Sequence, residues 1–217
     1  MKKLTLKTII FSLLAIVAFN YSYAQSTQKD LKKNLKSSIE RDCRKTAKKL
    51  KKDNWEVLPG KLPLSRQIQD SRYAQLSLNE DGKQEFIIGT HIAKGGNYSA
   101  AKKIASSRAL TELAEQVNSK VDEIIKSNVA NTNYGEGDME VIDKCISANK
   151  HVVSARLNGA TPILEIFRRG DNGTYEVQVM YKISAKEAIR TAKNAYRTEL
   201  KKESEDLANE LDELLKY

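Results

Sequence analysis

Few residues in this chain have the type and spacing to do specific chemistry: two cysteines, two histidines and one tryptophan. Neither His91 nor His151 stands at a metal-ligand spacing from another His, Cys or carboxylate. His151 lies beside Val152 and Val153 and reads as a core or edge histidine. No Gly-x-Ser-x-Gly elbow is present. Glu165 and Glu176 fall on neighbouring expected strands, but their alternation turns both outward into solvent. These residues predict no catalytic set, no metal and no cofactor. Two side chains stand as ligand-binding candidates. Trp55, in "KKDNWEVLPGKLPL", could stack on a sugar, although its plainer role is to anchor a crossing loop. Arg108, a lone charge in the apolar half of a helix, could clamp an anion. More ordinarily such an arginine lays its stem on the core edge and pairs with a carboxylate.

The helix that carries Arg108 opens with "GGNYSAAKK". A phosphate-cradling loop would end in Gly-Lys-Ser/Thr and follow a parallel strand; this one does neither. Asn97 or Ser99 as N-cap explains it better. From Tyr98 to about Lys126, Ala101, Ala105, Ala109, Leu113, Val117, Val121 and Ile124 form one stripe, small at first and larger later. It is expected to press on a sheet, with Lys102 and Ser106 on the wet face.

That sheet is expected from "RYAQLSL", "QEFIIGTHI", "ANKHVVSARL", "ILEIFRR" and "TYEVQVMYKI". The last has the clearest period of two, and Asp81-Gly82 and "GDNG" read as tight turns. The expected class is α+β: roughly five mainly antiparallel strands, a long packing helix on one face, and helices at both ends. The polar segment from Asn131 to Glu140 reads as a loop.

Lys2, Lys3 and Lys7, the apolar run Ile9–Phe19 and "SYA" make a signal peptide, cleaved before Gln25. The apolar run is too short to span a bilayer, and no cysteine follows the cleavage point. The mature protein is thus expected to be periplasmic or secreted, without a lipid anchor or a transmembrane segment. Losing three lysines lowers the formal charge from +9 to +6, no nucleic-acid signature. Residues 25–55 read as a basic helix, 56–183 as the α+β domain and 184–217 as an amphipathic C-terminal helix. Lys29 to Lys52 holds eleven basic and three acidic residues; Glu199 to Tyr217 holds seven acidic and three basic. The first helix carries an apolar stripe through Leu31, Leu35, Ile39, Cys43, Ala47 and Leu50, expected to dock on the body or on the acidic helix. Ser184 and Glu187 suit the start of the last helix. Export permits a Cys43–Cys145 disulfide, which would staple the basic helix to the sheet; Cys43 would equally fit the stripe as a buried thiol.

The pattern "A-x3-A-x2-R-A-L-x2-LA", set by Ala101, Ala105, Arg108, Ala109, Leu113 and Ala114, precedes a loop and strands ending in "YEVQVMYKI". Over about Glu85 to Ile183 the chain resembles small bacterial envelope lipoproteins of the Lpp-twenty type. It departs from them in lacking the lipidated cysteine. The resemblance implies a non-enzymatic envelope protein and carries no flagellar assignment. The expected function is a structural or interaction module of the envelope, with an envelope protein or another copy as partner and loose contact with anionic surfaces. The alternative is a small-ligand or glycan-binding protein that uses the loops around Trp55 and Asn131.

Overall fold

The clearest strand pattern in the sequence, Tyr175–Ser184, is the central strand of the sheet in the computed structural model. The structure describes residues 36–129, 159–202 and 205–215, with positions 140, 144, 146 and 157. The expected signal peptide, Leu31, Leu35, Cys145, His151, most of "ANKHVVSARL" and the loop 131–139 lie outside the described residues. Two compact units divide the chain, residues 1–45 and 46–217. Helix α1 covers 36–52. In the first unit Cys43 is buried, 3 % exposed. With Cys145 outside the described residues, the bridge stays an expectation.

In the second unit α1 is followed by α2 (Leu64–Leu76), β1 (Phe86–Gly95), α3 (Tyr98–Val129), β2 (Thr161–Arg169), β3 (Tyr175–Ser184), α4 (Ala185–Leu200) and α5 (Glu205–Leu214). The class is α+β, but the described sheet has three antiparallel strands in the order β1-β3-β2, not five. The stretch "RYAQLSL" accounts for one of the missing strands. Its first five residues end helix α2, and the apparent alternation is accidental, because Leu76 and Leu78 are 54 % and 60 % exposed. The residues that α2 buries are Leu64, Gln67, Ser71 and Ala74, a helical spacing disguised by two polar side chains. The Asp81-Gly82 turn does form, with Gly82 at φ 73° and Asn79 Oδ1 accepting from the amides of Asp81 and Lys83. It links a helix to a strand; the only pairing across it is an isolated Leu78–Gln84 bridge.

Helix α3 covers one face of the sheet. Ala101, Ala105 and Ala109 are fully buried against Ala93, Val177 and Val179. The close approach also needs glycine on the strand side. A methyl group on Gly89 would stand 2.0 Å from the Ala109 carbonyl oxygen and 2.8 Å from Leu113 Cβ. Asn97 caps the helix, its Oδ1 accepting from the Ala100 amide at 2.8 Å. At about 1.5 Å per residue the 32-residue helix is far longer than a 10-residue strand at about 3.3 Å per residue. Its second half, beyond Leu113 on Gly89, therefore runs on past the sheet. Leu113, Val117, Val121 and Ile125 pack against Ala188, Ala192 and Tyr196 of α4 and Leu211 of α5.

The C-terminal helix of the sequence reading is two helices, and Ser184 caps the first by accepting from the Glu187 amide. Asp212 of the second helix is answered by the first: it lies 2.8 Å from Arg197 and 3.4 Å from Lys193.

The other face of the sheet is covered too. Ala47 of α1, Trp55 and Leu64 of α2 pack on Leu164, Ile166 and Met180, with Leu50, Ile68 and Ile88 at the margin. Of the expected apolar stripe, Ala47 and Leu50 pack in this core.

Candidate functional site

Trp55 is held in place by backbone and ring together. Its amide donates to the Leu50 carbonyl, and Glu56 exchanges two backbone hydrogen bonds with Phe167 on the outer edge of β2. The side chain is 7 % exposed, and the Arg168 guanidinium lies over its ring at 4.9 Å. One face of the indole meets the core and the other meets a cation, so Trp55 anchors the crossing loop and offers no free face to a sugar. Arg108 is exposed on α3, on the opposite side of the sheet from Trp55. It is not embedded in the apolar half of the helix. The two ligand candidates are not brought together.

The structure assembles two polar clusters that neither candidate predicted. In the first, Glu165 lies at the sheet edge with its side chain only 11 % exposed, not outward and solvated. Tyr98 donates to its Oε1, Lys102 Nζ sits 2.7 Å from the same oxygen, and Lys61 Nζ is 3.9 Å from Oε2. The Glu165 amide donates to Oε1 of buried Gln67, whose Nε2 donates to the Leu62 carbonyl. Lys102 is thus a partner of the sheet, and so is Ser106, whose Oγ accepts from Tyr181. A cleft of about 160 Å³ beside this cluster is lined by Lys61, Leu62, Asp70, Pro162 and Ile163 among others.

Burial alone would raise the Glu165 pKa. The hydrogen bonds from Lys102 and Tyr98, with the charges of Lys102 and Lys61, outweigh it and hold the carboxyl below its ordinary range. Burial, then the hydrogen bond to Glu165 and its negative charge, push the Tyr98 hydroxyl well above the usual tyrosine value. A carboxylate lowered in the folded state stabilises the fold above its unfolded value of 4.5, and that contribution is lost as the pH falls through the lowered value. Glu165→Gln should therefore be less stable than the parent at neutral pH, with the gap closing in acid. Urea midpoints measured from neutral pH down past 4.5 check this; a gap that does not change with pH would contradict it.

The second cluster is at the end of the sheet where β2 turns into β3. The turn is tight: the Gly170 amide donates to the Thr174 carbonyl, and Asn172 takes φ 61°. This register sets Arg168 opposite Glu176 and, across β3, Lys94 of β1 opposite Glu176 as well. The result is a cross-strand row of plus, minus, plus, with neighbouring strands about 4.8 Å apart. Arg168 Nε lies 2.5 Å from Glu176 Oε2. Arg169 rests beside the Tyr175 ring at 5.8 Å. Together with Asp53, Asn54, Gly170, Asn172 and Thr174, these residues line an open polar cleft of about 550 Å³. Asn54, at φ 62°, also borders a neighbouring cleft of about 430 Å³ lined by Lys51, Trp55 and Glu56.

One signal for this cluster was present in the sequence. Counting outward from "GDNG" in a tight hairpin pairs residue 168 with 176. No local pattern brings in Lys94 or Asn54, which arrive through the fold.

Family models, curated proteins and solved structures yield no match to this chain. Among the described residues there is no group of three or more His, Cys, Asp or Glu placed to hold a metal ion, and no helix long and apolar enough to cross a membrane.

Proposed function

We propose that this protein is an exported, non-enzymatic interaction module of the cell envelope that docks through a basic end on an anionic component. One observation carries the reading: exposed cations gather where α1 meets the β2–β3 end of the sheet. Lys48, Lys49, Lys51 and Lys52 are all exposed, while Ala47 and Leu50 of the same turns pack inside the fold. Lys51 borders one cleft, Asn54 is shared between the two, and Lys94, Arg168 and Arg169 border the other. Cations on rigid elements act together in attracting an anionic surface, at a strength governed by salt. The signal-peptide pattern and the resemblance to envelope lipoproteins support the location. The partner is an envelope protein or polymer, or a second copy of the chain.

Two measurements test the proposal. Intact-mass analysis of fractionated cells should find a mature chain that starts at Gln25; retention of Met1 would remove the export part. On a polyglutamate matrix the mature protein should be retained at low salt. It should elute as the screening length falls from about 10 Å at 0.1 M to about 3 Å at 1 M. Replacing Lys48, Lys49, Lys51 and Lys52 by Gln should bring elution forward. No retention at low salt, or elution unchanged by the four substitutions, would overturn the docking reading.

A further inference from the structure

We propose that the cleft at the β2–β3 end of the sheet is a binding site for an acidic saccharide. This names a ligand class for the basic end and rests on the preceding reading. The groups that line the cleft argue for a ligand that carries carboxylates among several hydroxyls. Glu176 is engaged by Arg168, and Lys94 and Arg169, which also line the cleft, make no ion pair among the described residues. A neutral sugar would leave both unanswered. A bare phosphate would meet them but would also meet the carboxylates of Asp53 and Glu176 on the same lining. Hydroxyl groups need acceptors as well as donors. Asp53 and Glu176 supply acceptors, and the Asn54 and Asn172 amides supply both.

The site is also held in shape. Lys94, Glu176 and Arg168 project from three hydrogen-bonded strands, and Asn54 and Asn172 occupy turn positions of positive φ that the backbone fixes. At about 550 Å³ the cleft falls within the roughly 300–1,000 Å³ of small-ligand sites. A concave polar cleft suits a sugar better than the flat surface of a bilayer.

The fold supplies its own reporter. Trp55 is the only tryptophan of the chain, and Arg168, which lies over its ring, lines the cleft. Titration of the mature protein with digalacturonate should give a saturable change in tryptophan emission. The neutral digalactose, and inorganic phosphate at matched ionic strength, should give none. Lys94→Ala and Arg169→Ala, both at exposed positions, should each weaken the binding about tenfold, the loss of one charge-assisted contact. Their melting curves should stay close to the parent's, which separates a binding role from a folding one.

Absence of a saturable change with digalacturonate would overturn the site. So would an equal response to phosphate, indifference to both substitutions, or a response only to anionic phosphatidylglycerol vesicles. Retention on polyglutamate in any of those cases would leave the broader docking reading standing; loss of that retention, with digalacturonate still bound, would leave the site and remove the docking surface.

Discussion

Gly89→Ala should destabilise the protein by about 3 kcal/mol or more, at or beyond the upper end of what overpacking costs. The reason is that the added methyl group meets backbone, the Ala109 carbonyl oxygen at 2.0 Å and the Leu113 amide nitrogen at 2.9 Å, as well as Leu113 Cβ at 2.8 Å. A side chain can turn aside, whereas a helix carbonyl moves only with the helix. For the same reason Leu113→Ala should not rescue the variant, since neither the carbonyl nor the β-carbon is removed. Ala105→Leu and Ala109→Leu probe the same contact from the helix side and should each cost about 1–3 kcal/mol. Lys103→Leu and Ser107→Leu, at exposed positions of α3, should be nearly neutral. Urea melts of the six variants decide the matter. A Gly89→Ala protein that melts with the parent, or equal losses at all helix positions, would mean that α3 does not press on β1 as described.

The next largest loss is expected from Tyr196→Phe, at about 1–3 kcal/mol. Tyr196 is fully buried, and its hydroxyl lies 2.5 Å from Oδ1 of Asn118, itself only 3 % exposed. Removing the hydroxyl leaves a buried amide without that donor, and a buried polar group that loses its partner costs more than the bond contributed. The cost should fall when both partners become apolar, so Asn118→Leu combined with Tyr196→Phe should lose less than the two single changes add up to. A double-mutant cycle from denaturant midpoints reads the coupling directly. Strict additivity would show that the pair does not join α3 to α4. The contact matters for architecture because it lies in the cluster where α3 packs against α4 and α5.

Some of this protein was written into short stretches of chain. The Ala-rich stripe of α3, the period of two in β3, the Asn97 and Ser184 caps and the "GDNG" turn all depend on neighbours within a few residues, and each stands in the structure as local chemistry dictates. Helix α2 was hidden because Gln67 and Ser71 fill its buried face, satisfied by the Leu62 and Gln67 carbonyls. Polarity misreports burial wherever a buried polar group finds its partner. Glu165 misled in the same way, since its charge is answered by Lys102 and Tyr98, more than 60 positions away in the chain. The cleft lined by Lys94, Arg168, Arg169 and Asn54 belongs wholly to the tertiary structure. It exists because β3 lies between β1 and β2, aligning residues 94, 176 and 168 in one row, and because Glu56 ties the loop after α1 to the edge of β2. Period and capping are decided by bonds a turn apart. Which charges share a cleft is decided by strand order and register, which pairings distant in the chain impose together.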